Sequence, residues 1–498
     1  MKKFFLSFFL ILSLHHLVGQ TLHFTDSLKL SYEYISSLKI SEGQKILTDY
    51  ESKDPKNVWI DYEKNFSDFL EVFISEDKNL FNQKQDFIAQ RYNRISNLPE
   101  DNPYRLWMMA NMNLQWAFVR VKFGQYLQTG SSIIKAYRLI SQNEVLFPDF
   151  VPNGLTLGVL HIMIGLIPDQ YRWVLKLVSM EGTVEQGKKE IYSVLEHSLN
   201  DPRYSFLRDE SLFYMGFIDL TLTPDHQTLS VLKKKLEQVS DTNLLMDFLK
   251  ADILVRTGQN DAALAMLNKT TRMKGYFPFY YLNYMKGDCL LKKLDYQADS
   301  EYRYFLHHFK GENYVKDAWR KRAWIALLQG DTLGYHRLMD SVLVRGGDMI
   351  DADKQAYREA QSGKIPNVSL LKSRVLFDGG YYGQSKKVLN AMNGAKISPD
   401  QHLQRTYRYG RIAQHQHNWP EAKKEYRRTI EEGRNSPLYF AGNSALKLGE
   451  IYEIQDSLSQ AEYYYRLCLQ LNFKGYRNSI KGKAKESLTR VQQRLKNQ

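Results

Sequence analysis

Apolar residues recur along most of the chain with a spacing of about 3.6 residues, which places them on one face of an α-helix. Glycine and proline stand singly between these runs, where they end one helix and permit the turn to the next. Runs in which apolar and polar residues alternate, as in strands, are scarce. The pattern predicts an all-α protein built from many short helices.

A set of small and aromatic residues repeats near the C-terminus. Two stretches carry a glycine, an alanine and a tyrosine at offsets of 0, 12 and 16 residues: Gly410, Ala422 and Tyr426, then Gly449, Ala461 and Tyr465. This spacing predicts that small residues of two helices face each other and that the large residue fills the neighbouring layer. The pattern resembles that of the tetratricopeptide repeat (TPR), which implies an array of helical hairpins, an α-solenoid.

Weaker copies of the same pattern occur upstream, several of them at periods of 36 to 39 residues. They begin at Ser31, Ala117, Ala251, Gly287, Ala323 and Ser373. A gap of 50 residues between the last two predicts an extra loop around "VRGGDMIDADKQ". The predicted organisation is a signal peptide over 1–19, an N-terminal helical region with degenerate repeats over 20–230, and a TPR array with a basic capping helix over 231–498.

The N-terminal stretch has the parts of a secretory signal. Lys2 and Lys3 give it a positive start, and Phe4–Val18 form an apolar core of about 15 residues. This core is shorter than the roughly 20 apolar residues that a membrane span needs. We therefore predict cleavage between Gly19 and Gln20 and export to the periplasm, the outer membrane or beyond the cell.

The most apolar internal segment is Gly154–Gly182. Its first part, Gly154–Ile167, is too short to cross a bilayer alone and is followed by Pro168. A further helix is expected to begin after Thr183, which is a suitable N-cap. We interpret the segment as the buried core of stacked helices, with interfacial membrane contact and a ligand pocket as the alternatives.

A second resemblance rests on Gly158, Pro168, Leu175, Gly182 and Gly187, within residues 147–191. These residues match the apolar segment of the eukaryotic inclusion-body-clearance proteins, degenerate TPR proteins associated with mitochondrial outer membranes and lipid droplets. Because this chain carries an export signal, the intracellular role of that family is not transferred to it. The whole layout resembles the secreted TPR proteins of Bacteroidota, most of which lack an assigned activity.

Composition and charge restrict the class of partner. The chain is 43% apolar and 25% charged, as expected of a folded soluble protein. Its net charge is +13, and residues 401–498 hold 18 Lys and Arg against 9 Asp and Glu. This balance favours acidic partners, anionic lipid headgroups or acidic glycans, although a solvated basic face is the simpler explanation. Nucleic acid is not predicted as a partner, because no binding motif is present.

No catalytic or metal-binding pattern stands out. His415 and His417 diverge by roughly 200° around their helix, the adjacent His307 and His308 also diverge, and His161 lies in the apolar run. The sequence lacks a nucleophile elbow, a phosphate-binding loop and a dinucleotide-binding glycine pattern. We predict that the chain is not an enzyme and binds no cofactor or metal. The alternative is an enzyme whose acid pair is assembled from distant repeats.

The two cysteines also have a structural interpretation. Cys289 and Cys468 lie in helix-like runs, "KGDCLLKK" and "YYRLCLQL". We predict that they are buried thiols rather than a disulfide, so packing must hold the exported chain together.

The TPR resemblance implies a binding groove lined by the first helix of each hairpin. The groove residues that it implies are Phe248, Asp252, Arg256, Tyr281, Tyr284, Asp288, Tyr407, Arg411 and Gln414, with Leu245 beside them. Tyrosine and arginine suit protein recognition, although some of these residues, Phe248 especially, could instead fill the layers between repeats.

The predicted function is a non-catalytic exported scaffold that binds protein or peptide partners. Glycan capture is a competing hypothesis, by analogy with the repeat-containing outer-membrane sugar-binding lipoproteins, and the chain's 33 tyrosines fit it. Peripheral membrane association through the apolar segment and the basic C-terminus is another.

Overall fold

The computed structural model describes residues 20–167, 178–222 and 242–497, together with the single residues 175, 232, 234 and 236. The predicted signal peptide, Pro168 and the predicted domain boundary at 230 lie outside the described residues. Within the described ranges the secondary structure is helical, apart from one isolated bridge between Thr21 and Asn57. The all-α prediction is confirmed.

The chain forms two compact units, the first of which contains the described residues up to Leu249 and Met273–Phe279. Its consecutive helices pair as hairpins, α1 with α2, α6 with α7 and α8 with α9. A 3-10 helix, Pro202–Leu207, lies between α9 and α10. The bounds are α1 Asp26–Ser36, α2 Ile40–Glu51, α3 Val58–Ser75, α4 Lys78–Gln85, α5 Ile88–Ser96, α6 Pro103–Lys122, α7 Tyr126–Leu146, α8 Asn153–Gly165, α9 Val184–Asn200 and α10 Arg208–Leu222.

The second unit contains Lys250–Arg272 and the described chain from Tyr280 onward. Helix α11 (Leu244–Arg256) begins in the first unit and ends in the second. Helices α13, α15, α18, α20 and α22 each pair with the helix that follows, and we call them the first helices. The remaining bounds are α12 Asn260–Thr270, α13 Tyr281–Lys292, α14 Ala298–His308, α15 Val315–Leu328, α16 Thr332–Val344, α17 Asp351–Ser362, α18 Val368–Asp378, α19 Tyr382–Asn390, α20 Pro399–His415, α21 Trp419–Gly433, α22 Phe440–Ile454, α23 Leu458–Gln470 and α24 Arg477–Lys496. The unit is the TPR-like array of helical hairpins that the spacing predicts.

The glycines of the repeat pattern allow an aromatic ring to pack directly on a helix backbone. A Cβ atom on Gly410 would lie 2.7 Å from a ring carbon of Tyr426, and one on Gly449 would lie 2.3 Å from a ring carbon of Tyr465. Carbon atoms in contact are ordinarily about 3.5–4.0 Å apart, so a larger residue would push the second helix away. Both tyrosines are fully buried. The residue at offset 16 therefore packs on the glycine at offset 0.

The weaker copies of the pattern are also helix contacts. The hydroxyl groups of Ser373 and Ser385 lie 2.8 Å apart inside the hairpin formed by α18 and α19. In the first unit the hydroxyl of Ser31 donates to the carbonyl of Gly43, at 3.1 Å. Small polar residues thus make the close crossing and satisfy their own hydrogen bonds at the same time.

The apolar segment forms the packed hairpin of α8 and α9. Nearly every residue of α8 is buried, and the helices cross so closely that a Cβ on Gly187 would lie 2.3 Å from the carbonyl oxygen of Gly158. His161 Nδ1 lies 2.7 Å from Glu190 Oε2, and the Thr183 hydroxyl caps α9 as predicted. The interpretation as buried core is confirmed for α8, whereas Leu166, directly after it, is 51% exposed.

Two further expectations concern the apolar residues and the cysteines. In the part of the chain that the structure describes, no helix has both the length and the apolar character needed to cross a membrane.

Cys289 and Cys468 are free and buried, and burial raises the pKa of each thiol to about 12. The prediction of buried thiols is confirmed.

The insertion in the repeat series differs from the predicted loop. It contains α17, which packs against α15 and α16 and buries Ala356 completely. The Asp353 carboxylate accepts the backbone N–H groups of Tyr314 and Asp317, at 2.7 and 2.9 Å, and so satisfies donors at the start of α15. Residues 345–350 are not helical, in agreement with the predicted loop, but the prediction missed α17. This helix is mostly polar, and so few apolar residues carry its periodicity.

Candidate partner-binding face

The first helices of the second unit contact one another along one side of the array. Helix α18 contacts α13, α15 and α20, and α20 contacts α22. We call the surface built by these helices the first-helix face. Six of the predicted groove residues lie on it: Tyr281, Tyr284 and Asp288 on α13, and Tyr407, Arg411 and Gln414 on α20. The other three lie on α11.

Tyr284 and Asp288 belong to a buried ionic network. The Lys321 Nζ lies 2.5 Å from an oxygen of Asp288 and 3.0 Å from an oxygen of Asp317, and it donates to the Tyr284 hydroxyl at 2.9 Å. The Tyr284 hydroxyl in turn donates to Asp317, which also pairs with Arg320. We call Tyr284, Asp288, Asp317, Arg320 and Lys321 the paired cluster.

The charges of the paired cluster neutralise one another. Burial alone would raise the pKa of Asp317, but the charges of Arg320 and Lys321 outweigh it and hold this pKa well below its usual range. Burial alone would lower the pKa of Lys321, but the negative charges of Asp288 and Asp317 raise it. Glu359 on α17 lies 3.6 Å from Arg320. The cluster therefore has a protein partner for each charge.

Tyr281 lies beside the paired cluster. Its ring centroid is 4.6 Å from that of Tyr314, and burial raises its pKa well above the usual value. Tyr281 and Tyr284 stack at 5.3 Å. The predicted groove residues of α13 thus contact other parts of the same unit, and their role in partner binding stays a prediction.

The predicted groove residues of α11 are more exposed. The carboxylate of Asp252 pairs with the guanidinium of Arg256 at 2.8 Å, one helical turn away, and the Arg256 side chain is 45% exposed. The ring of Phe248 lies 5.4 Å from that of Phe279, while Leu245 is buried. Phe248 thus makes an aromatic contact inside the first unit.

Tyr407 and Gln414 connect neighbouring helices. The Tyr407 hydroxyl accepts hydrogen bonds from Arg411 at 3.0 Å and from Asn443 on α22 at 2.6 Å. The side-chain carbonyl of Gln414 accepts one from the Tyr426 hydroxyl on α21, at 2.6 Å. Tyr407 is 3% exposed. Both residues therefore hold the array together, and their contact with a partner stays a prediction.

A group of arginines on α18 and α20 has far fewer partners. The guanidinium of Arg411 lies 4.8 Å above the ring of Phe377, and that of Arg374 lies 5.0 Å above the ring of Trp324. Arg408 is 9% exposed, and its Nε is buried without a hydrogen-bond acceptor. We call Arg374, Arg408 and Arg411 the arginine cluster.

Sequence reasoning named only Arg411 from the arginine cluster. Arg374 and Arg411 occupy the same repeat position, because each directly follows the small residue of its copy, Ser373 or Gly410. This periodic recurrence was the signal that could have identified Arg374. Arg408 stands two residues before Gly410, as Lys321 stands two residues before Ala323, but the burial of Arg408 depends on how α18, α20 and α22 pack.

The histidines singled out in the sequence make ordinary contacts. The ring of His415 stacks on Tyr382 at 5.2 Å, and the ring of His417 lies 5.3 Å from Trp419. Across the described ranges, His, Cys, Asp and Glu side chains do not gather in groups of three or more that could hold a metal ion.

Comparisons with known proteins return a number of solved structures, of which two are described by their similarity to this chain. The crystal structure of the P58(IPK) TPR domain is 15% identical over 86% of this chain and 98% of that chain, with a TM-score of 0.22. Yeast Tom70 is 12% identical over 93% of this chain and 96% of that chain, with a TM-score of 0.28. No family model and no curated protein sequence matches the chain. We assign the TPR-like fold from the hairpins themselves.

Proposed function

We propose that this chain is a non-catalytic, exported scaffold that binds protein or peptide partners through the first-helix face. The observation that carries the proposal is the arginine cluster, where guanidinium groups lie over aromatic rings and only one carboxylate, that of the half-exposed Asp378, lies within ion-pair distance among the described residues. Arginine and aromatic residues dominate the energetics of protein interfaces, because they combine apolar area with directional hydrogen bonds.

Two tyrosines extend this surface toward the start of α22 and α24. The rings of Tyr439 and Tyr476 lie 4.9 Å apart, and Tyr476 is 43% exposed. Tyr439 also contacts Tyr407 at 6.0 Å. An aromatic edge beside unneutralised arginines supports binding of an extended polypeptide segment.

A cross-linking experiment tests the proposal. A photoreactive phenylalanine analogue is placed at Tyr476, and the matched control carries it at Tyr463, which is 58% exposed on α23, the second helix of its hairpin. After irradiation in envelope extract, we expect protein adducts from position 476 and few from position 463. Equal labelling at the two positions, or no adduct from position 476, would count against the first-helix face as the binding surface.

Export is part of the same proposal and is supported by the charge and apolar pattern of residues 1–19. By its sequence resemblance, we propose a place for the chain among the secreted TPR proteins of Bacteroidota. N-terminal sequencing of the protein from the envelope fraction should begin at Gln20. Recovery from that fraction with Lys2 and Lys3 still attached would contradict cleavage.

A further inference from the structure

Two cationic side chains on α21, Lys423 and Arg427, have only neutral polar partners among the described residues. Lys423 Nζ donates to the side-chain carbonyl of Gln455 at 2.5 Å. The guanidinium of Arg427 donates to the hydroxyl of Tyr464 at 3.3 Å and to that of Tyr452. Burial and the nearby charge of Arg427 lower the pKa of Lys423. Two like charges thus stand one helical turn apart, an arrangement that repulsion disfavours and that an anion would relieve.

Direct contacts hold both cations against one aromatic pair. Lys423 Nζ lies 4.1 Å from the centroid of the Tyr452 ring, whose hydroxyl accepts from Arg427. The rings of Tyr452 and Tyr464 are buried and stack in parallel, with centroids 5.5 Å apart. Helices α21, α22 and α23 thus each contribute to one small group of side chains. We call Lys423, Arg427, Tyr452 and Tyr464 the donor cluster.

The same two repeat positions hold an ion pair in other hairpins. Three second helices carry a fully buried tyrosine that packs on the glycine of the first helix: Tyr302, Tyr426 and Tyr465. Three residues before and one residue after this tyrosine, α14 has Asp299 and Arg303, which pair at 2.6 Å. The same positions of α23 hold Glu462 and Arg466, which pair at 2.7 Å. In α21 they hold Lys423 and Arg427, so a lysine stands where the other two helices have a carboxylate.

The donor cluster has more hydrogen-bond donors than acceptors. Lysine and arginine side chains only donate, and a tyrosine hydroxyl that accepts from Arg427 keeps its own hydrogen to donate. Within the described ranges, neither of the two hydroxyl groups donates to another protein group. An anion with several oxygen atoms would match these donors and neutralise both cations.

We propose that the donor cluster binds a phosphate group, carried by a lipid headgroup or free in solution. A phosphate monoester has three strong acceptor oxygens and about two negative charges at neutral pH, so it can accept from the whole cluster at once. The guanidinium fork fits its oxygen atoms in pairs, and lysine adds a compact positive charge. In this site the ligand takes the place of the carboxylate that Glu462 offers to Arg466 in α23.

Titration calorimetry with inorganic phosphate tests the site in the mature chain, at an ionic strength held constant because salt screens exposed charges. We expect saturable binding. Sodium acetate, whose anion has two oxygen atoms and a single charge, should bind at least about tenfold more weakly. Equal affinities for phosphate and acetate would overturn the assignment of phosphate as the ligand.

Lys423→Met and Arg427→Met are the test variants, and Arg466→Met is the matched control. Each removes one positive charge, but Arg466 is 54% exposed and is already paired with Glu462. We expect the Kd for phosphate to rise at least about tenfold in both test variants and to stay unchanged in the control. Lys423→Glu rebuilds the acid–arginine pair of α14 and α23, so it should keep the fold, as judged by circular dichroism, and abolish binding.

Vesicles distinguish the two sources of the phosphate group. The chain and its variants are sedimented with vesicles of phosphatidylcholine and with vesicles that also contain phosphatidic acid, whose headgroup is a phosphate monoester. Retention on phosphatidic acid that Lys423→Met loses and Arg466→Met keeps would assign the site to a lipid headgroup. Binding of inorganic phosphate without such retention would assign it to free phosphate.

The site is overturned if neither inorganic phosphate nor phosphatidic acid distinguishes Lys423→Met from Arg466→Met. Equal retention of these two variants on the vesicles would show attraction by the net charge of +13 alone. Cross-linking from position 476 reports separately on the proposed partner binding, because the donor cluster shares no residue with the arginine cluster.

Discussion

The paired cluster and the arginine cluster use similar residues at equivalent repeat positions and reach opposite outcomes. In the first, Lys321 lies 2.5 Å from Asp288, and Asp317 neutralises Arg320. In the second, Arg408 has Arg374 in place of the aspartate and makes no ion pair among the described residues. One exchange of charge sign at a repeat position thus leaves Arg408 without the internal ion pair that Lys321 makes.

The difference shows that a TPR-like position does not decide by itself whether the polar groups of a residue are satisfied inside the protein. Tyr284 and Asp288 occupy positions that the repeat pattern assigns to a groove, yet their polar groups are satisfied inside the unit. Arg408 was not assigned to the groove and has no such contact. Repeat position alone therefore does not predict whether a polar side chain finds its partners inside the unit.

The largest expected effect comes from breaking the paired cluster. Asp317→Asn leaves Arg320 and Lys321 without their shared carboxylate, and their side chains are only 6% and 13% exposed. We expect the free energy of unfolding to fall by about 3–5 kcal/mol, as measured by urea denaturation followed by circular dichroism.

Asp252→Asn is the matched control, because it removes an ion pair with the exposed Arg256. It should change the free energy of unfolding by less than about 1 kcal/mol. Similar losses in the two variants would show that the paired cluster is no more important to stability than a surface pair.

The same contrast depends on pH. The pKa of Asp317 is lower in the folded chain than in the unfolded chain, so its stabilisation is present above the unfolded pKa of about 4 and is lost as the pH falls through the folded pKa. The stability gap between the unmodified chain and Asp317→Asn should therefore narrow as the pH falls below about 4. A gap that stays constant during acid titration would contradict the role of this carboxylate charge.

The smallest expected effect comes from introducing a carboxylate into the arginine cluster. Arg374→Asp places a carboxylate beside Arg408 and removes the repulsion between the two arginines, so we expect a gain of about 1 kcal/mol in the free energy of unfolding. The measurement is again urea denaturation, compared with Arg466→Met, which should be nearly neutral. A loss of stability in Arg374→Asp would mean that the contacts of Arg374 with Asp378 and the Trp324 ring outweigh its repulsion with Arg408.

Prediction from sequence succeeded where the controlling contacts lie within one hairpin. Gly410 and Tyr426 are 16 residues apart, and their spacing alone places the ring on the glycine. It failed at α17, a polar helix whose position is fixed by the contacts of Asp353 with the start of α15. Contacts of that kind join different hairpins and leave little periodic trace in the sequence.

The helices, their pairing into hairpins and the buried character of α8 could be predicted from residue size and apolar spacing, because these act over short distances along the chain. Which charges are neutralised depends instead on contacts between helices that are distant in sequence. Lys321 and Arg408 occupy equivalent repeat positions, but the neighbouring helix brings Asp288 to one and Arg374 close to the other. The free energy of a buried charge depends on that neighbour, which local spacing does not encode.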